Sequence, residues 1–162
     1  VAIIITALTS GSDTTTNPSV TASISPASGS VVYAYVGVAL AGGSTSHGSD
    51  SLSGSGAGLS WTTIGTVSNV GGDRRRLFLM RGTGTPSAGA VTWTFTSGGG
   101  GTWTETVWSI VQVTGLDGTT HNGTVYTNFT SGATSLSVTV SDVPDSGDFV
   151  LAGFSIESNG TS

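Results

Sequence analysis

The sequence predicts an all-β protein, an antiparallel β-sandwich of jelly-roll type with about ten strands. Three observations predict it. Apolar and hydroxyl side chains alternate with a period of two in short runs, most cleanly where Val91, Trp93 and Phe95 interleave with Thr92, Thr94 and Thr96. Turn signals rich in Gly, Ser and Pro separate the runs. No stretch carries the apolar spacing of an amphipathic helix. The 162 residues suffice for a real core, so residues 1–162 read as a single domain.

Taken in order, residues 1–8 form a strand rich in β-branched side chains. Residues 11–18 form a polar connection. In residues 19–24, Val20, Ala22 and Ile24 share one face and Ser or Thr the other. Pro26 opens a turn into residues 30–40, where Val32, Ala34, Val36, Val38 and Leu40 share a face and Tyr33 and Tyr35 the opposite one. Apolar character on both faces predicts a central strand covered on two sides. Residues 41–59 read as one long Gly/Ser-rich loop, the kind that carries binding residues.

Residues 60–70 form the next strand, turned by Asn69-Val70-Gly71-Gly72-Asp73 into residues 74–81. There Arg75, Leu77, Leu79 and Arg81 oppose Arg74, Arg76, Phe78 and Met80. Strands follow at 90–96, 102–114, 125–129, 136–140 and 149–157. The run from Pro26 to Leu40 has an echo from Pro144 to Ile156, each opening Pro-x-Ser-Gly. With flanking strands this gives a weak repeat of residues 19–40 with 137–157, offset by about 118 residues. The second copy stops after its opening hairpin, which predicts a domain incomplete at the C-terminus. The missing initial Met predicts a processed or partial chain.

Composition narrows function. The net charge is −5 and there is no Lys. Nucleic-acid binding needs a basic footprint to displace counterions, so a nucleic-acid partner is not expected. No run approaches the roughly 20 apolar residues of a membrane-spanning helix, so no membrane span is expected. With no Cys, neither disulfides nor thiolate sites are available.

Catalytic constellations are weak. The two histidines, His47 and His121, lie in Gly-rich stretches, and no Gly-x-Ser-x-Gly elbow is present. Only two Glu exist, and Glu105 is expected to pair with Arg74, Arg75, Arg76 or Arg81. The expectation is no catalytic residue, no cofactor and no metal centre. Asp142, Asp145 and Asp148 gather oxygen ligands in one turn but lack the spacing of a Ca²⁺ loop, and read as turn formers. Asn122, Asn128 and Asn159 match the glycosylation pattern, as chance allows in so Thr-rich a chain.

Of the four Trp, Trp93 is expected in the core with Val91 and Phe95. Trp103 follows four glycines and is the best candidate for an aromatic platform. With His47 and Asp50 of the long loop it makes a candidate ligand site. Val1, Ile3 and Ile5, on an apolar N-terminal strand, are candidate assembly residues. Arg74 and Arg76 join them, in a charge run that reads as a solvated strand end or as a clamp for acidic partners in an assembly.

The order of Gly58-Leu-Ser-Trp-Thr-Thr-Ile-Gly-Thr-Val67, Arg75-Arg-Leu-Phe-Leu-Met-Arg81, Ala90-Val-Thr-Trp-Thr-Phe95 and Val113-Thr-Gly-Leu-Asp117 resembles Gly/Ser/Thr-rich β-sandwich structural proteins of bacteriophage virions and related bacterial surface proteins. The resemblance spans residues 1–157. It implies a tail, fibre or capsid-decorating role on the virion surface or outside the cell, and no catalytic residue. The expected partners are copies of the chain and other virion or surface-assembly proteins. The alternative is a carbohydrate-binding or adhesive module that takes cell-surface glycan through Trp103 and the 41–59 loop.

Overall fold

A computed structural model describes residues 2–41, 49–68, 73–98, 101–116, 125–127, 137–139 and 149–153. Among these there is no helix. Eight strands run as β1 (Ile4–Asp13), β2 (Ser19–Val20), β3 (Val31–Ala41), β4 (Ser51–Gly56), β5 (Leu59–Ser68), β6 (Asp73–Gly84), β7 (Val91–Thr96) and β8 (Thr102–Thr114). They form one antiparallel sheet in the order β1-β8-β3-β6-β5-β4-β7-β2, nearly closed into a barrel.

The alternation in β3 decides where the core lies. Val32, Ala34, Val36, Val38 and Leu40 point inward and are buried. From neighbouring strands they meet Phe78 and Met80, Trp108 and Ile110, and across the interior Val91, Trp93 and Phe95. Trp93 is fully buried and stands edge-on to Trp61, ring centres 4.9 Å apart. Phe95 meets Phe78 in the same way at 6.3 Å. Such edge-to-face pairs add about 0.5–1.5 kcal/mol beyond area burial.

The opposite face of β3 is covered too, as its two-sided pattern predicts. Tyr33 is buried and meets Phe149 edge-on at 6.0 Å. Val125 packs where a side chain on Gly65 would stand, 2.5 Å from the position of its Cβ. Burial raises the Tyr35 phenol to about 12. It raises Tyr33 as well, against the pull of Arg81.

Three expectations need correction. The stretch 11–18 is not all connection, because β1 pairs with β8 through to Asp13. Gly11 is tolerated there because the Trp108 indole packs over it. In 19–24 only Ser19 and Val20 make strand, and the facing of the first four residues is reversed: Ser19 and Thr21 are buried while Val20 is 55% exposed, and only Ile24 turns into the core as expected. Hydroxyls make this possible. Ser19 Oγ donates to the Thr16 carbonyl, and Thr21 Oγ1 accepts the Val91 N–H as a backbone carbonyl would.

The third correction concerns 41–59, which contains β4, paired along its length with β7. Its sequence, Ser-Leu-Ser-Gly-Ser-Gly, has little strand propensity. Smallness holds it in place: a Cβ on Gly54 would stand 2.5 Å from Trp93 Cζ3 and 2.9 Å from Trp61 Cβ. A two-residue turn then leads into β5, with Ala57 at φ 54° and Gly58 at φ 69°, the primed geometry that suits hairpin twist. The predicted strands at 125–129, 136–140 and 149–157 are described at 125–127, 137–139 and 149–153, and those residues carry no strand.

Three one-residue bulges matter below. They fall at Leu8, between Ala7 and Thr9 in the β1–β8 ladder; at Ile64, between Thr63 and Gly65 in β5–β6; and at Thr104 in β3–β8.

Candidate functional site

The candidate residues converge on one end of the sheet. There β1, β3, β5 and β7 finish while β4, β6 and β8 begin, as the pairs Asp13↔Thr106, Ala41↔Asp73, Ala41↔Thr102, Ser51↔Thr96 and Ser68↔Arg76 show.

Asp50 and Arg76, predicted for different roles, meet here. Arg76 shares the inward face of β6 with Phe78, and its guanidinium carbon lies 5.2 Å from that ring centre. Its Nη1 is 3.6 Å from Asp50 Oδ2. Asp50 Oδ1 accepts the Gly98 N–H at 2.8 Å. The two side chains are 0% and 13% exposed, Asp50 being the fully covered one. A buried carboxylate needs both a cation and hydrogen-bond donors, and it has both. The arrangement ties β4, β6 and the end of β7 into one unit.

Arg75 and Glu105 pair on the outer face at 3.5 Å, as expected for Glu105. They lie on β6 and β8, each opposite Ala39 of the strand between, so both long side chains reach across one methyl. At roughly one-third exposure each, the pair contributes at most about 1 kcal/mol.

Trp103 owes its orientation to the Thr104 bulge. The extra residue sets Trp103 opposite Leu40, on the inward-facing side of β3. The indole packs partly buried against the core, and its Nε1–H donates to Thr106 Oγ1 at 2.8 Å. The platform expected from the sequence is thus an end-cap of the interior, its one donor engaged.

At the same end, Asp13 folds the following turn onto its carboxylate. Oδ1 accepts from the Thr15 N–H and hydroxyl, each at 2.8 Å, and from the Thr16 N–H at 3.2 Å; Oδ2 accepts from the Thr16 hydroxyl at 2.7 Å. Led by the Thr15 backbone donor, these bonds hold Asp13 down at about 2 from an ordinary 3.8. Ionisation is therefore favoured by folding. The turn's contribution is complete above about pH 4 and is lost as the pH falls through about 2. A carboxyl-carbon NMR titration should place the Asp13 midpoint near 2. A midpoint at the ordinary value would mean that the turn does not hold in solution.

Four residues on, the Asn17 amide clamps β7 beyond the end of β2. Its Nδ2 donates to the Phe95 carbonyl at 2.9 Å and its Oδ1 accepts the Phe95 N–H at 3.1 Å. This clamp and the Asp50–Arg76 pair carry no sequence signal, because each joins residues far apart in the chain.

Of the other candidates, Ile3 is half-buried and Ile5 is 46% exposed. His47 and Val1 lie outside the described residues, as do Asp142, Asp145 and Asp148, and nothing is described of the Arg74 side chain. Among the described residues no three His, Cys, Asp or Glu side chains gather to hold a metal, and no helix is long and apolar enough to cross a membrane.

Comparison with protein-family models, with curated proteins and with solved structures found no match to this chain.

Proposed function

We propose that the protein is a non-enzymatic structural subunit of a virion surface or similar extracellular assembly, packed side by side with copies of itself and other components. The observation that carries this reading is β1. It is an edge strand of ten residues with one charge, Asp13 at its far end, and among the described residues only β8 pairs with it. Ile4 and Ile5 are 57% and 46% exposed upon it. Proteins that stay dispersed blunt such edges with charge, proline or a covering element. Edge pairing supplies main-chain hydrogen bonds to a partner without a preformed pocket.

The polar groups at the candidate end fit a scaffold as well. Asp50 with Arg76, Arg75 with Glu105 and Trp103 with Thr106 all join strands or fix side chains within the fold. As a further part of this reading, the C-terminal segments over Tyr33 and Gly65 belong to a second layer, which would complete a two-layered sandwich of jelly-roll type.

Immunogold electron microscopy with an antibody raised against the purified chain tests the function. Label on regular particles or fibres outside cells is expected. Label dispersed inside cells would overturn the proposal. The carbohydrate-binding alternative predicts glycan-array signal that falls at least tenfold in Trp103→Ala.

A further inference from the structure

We infer that the N-terminal half of β1 pairs antiparallel with the same segment of a second copy about a two-fold axis at Ile5, closing the assembly unit at a dimer. This deepens the proposed structural role by naming its first partner.

The sheet has two edges, and they differ. On the β2 side the strand is two residues long, and the neighbouring edge of β7 is already occupied. Asn17 takes both groups of Phe95, Ser19 and Val20 pair with Trp93 and Thr92, and Thr21 binds Val91 through its N–H and hydroxyl. No comparable template remains there for an incoming strand. The β1 side has one. Residues 4–7, ahead of the Leu8 bulge, are exposed on both faces. Among the described residues β1 is the longer of the two end edges of the sheet, and head-to-tail growth would have to seat it on the two-residue β2 end. Edge-to-edge pairing of like with like then consumes both edges and stops, which is the isologous case.

Composition agrees with self-pairing. Like charges set opposite each other across a two-fold axis repel, and residues 1–12 carry no charged side chain. In an antiparallel pair related by a two-fold axis perpendicular to the sheet, one residue faces its own copy. Centring on Ile5 sets Ile3 opposite Ala7, Ile5 opposite Ile5, and Ile4 opposite Thr6. Ile3, Ile5 and Ala7 then line one side, continuous with Val111 and Val113, which face Ala7 and Ile5 in β8. Centring on Thr6 instead would leave Ile3 without an apolar partner. Stable interfaces bury roughly 1,600 Å², and a five-residue edge pairing buries less, so a dissociation constant on the order of 10–100 µM is expected.

Sedimentation of the full chain up to about 1 mM should show monomer and dimer with no larger series. Ile5→Lys, which sets two ammonium groups across the axis, should raise the dissociation constant at least tenfold, while Val20→Lys on the other edge should leave it unchanged. The chain has no Cys, so Ile5→Cys gives an independent readout. On mild oxidation it should yield a disulfide dimer, and Val20→Cys should not. A monomer at every concentration, an open series of larger species, a dimer indifferent to Ile5→Lys, or no preferential Ile5→Cys crosslink would each overturn the inference. Labelled particles with a monomeric chain would sink the inference alone. A dimer without labelled particles would sink the structural role alone.

Discussion

Trp93→Ala is expected to destabilise the fold by about 3–5 kcal/mol, the range for deleting a large, fully buried aromatic. The site cannot collapse to fill the space. Trp61 stands edge-on to the missing ring and Gly54 contributes no side chain to move inward. Typical domains hold only about 5–15 kcal/mol in all, so the change removes roughly a fifth or more of the stability. For a chain of this size the melting temperature should fall by roughly 6–20 °C. The near-ultraviolet circular dichroism from the Trp61–Trp93 pair should vanish with it. A loss under 1 kcal/mol by urea unfolding would show that this part of the interior is not packed as described.

Asp50→Ala should cost about 2–4 kcal/mol, somewhat below the range for a broken fully buried pair because Arg76 keeps 13% of its side-chain surface. Two losses combine. The Gly98 N–H loses its acceptor and the Arg76 guanidinium loses its carboxylate within the fold. Asp50→Asn should lie between wild type and Asp50→Ala, since its amide oxygen can still accept from Gly98. The decisive comparison is a double-mutant cycle. Once Arg76 is Met, replacing Asp50 should cost at least 1 kcal/mol less than in wild type, because the Asp50–Arg76 attraction is then already gone. Additive costs would mean that the two residues are not coupled.

Chemical logic explains which parts of this molecule could be read in advance. Strands β3, β7 and β8 announce themselves because enough apolar residues alternate to exceed local preference. The two-sided burial of β3 follows from Tyr33 and Tyr35 standing opposite five aliphatic residues. Strand β4 is silent for the opposite reason. Leu52 is its only large apolar residue, and its conformation is imposed by β7 and by the indoles of Trp61 and Trp93. The inward facing of Ser19 and Thr21 is hidden as well, since a buried hydroxyl with a partner looks in sequence like a solvated one.

The candidate end was legible as a list of residues and not as a site. Asp50, Arg76 and Trp103 were each conspicuous. What joins Asp50 to Arg76 is sheet order, which sets together strands 26 positions apart in the chain. What turns Trp103 inward is a single extra residue at Thr104, which no pattern of period two reveals. The strand β1 at the sheet's edge was easy to foresee as a strand, because residues 1–8 combine apolar character with an absence of charge.

The bulges at Leu8, Ile64 and Thr104 also decide where this chain can change length. Removing any other residue within β1 would slip half of the strand by one position and turn its side chains to the wrong face. Removing Leu8 leaves Ala7 opposite Val111 and Thr9 opposite Ile110, with both halves still in step. The same holds for Ile64 between Thr63 and Gly65, and for Thr104 between Trp103 and Glu105. These three positions are where single-residue deletions can be absorbed, and in relatives of this chain a gap should fall there before it falls anywhere else in the ladders.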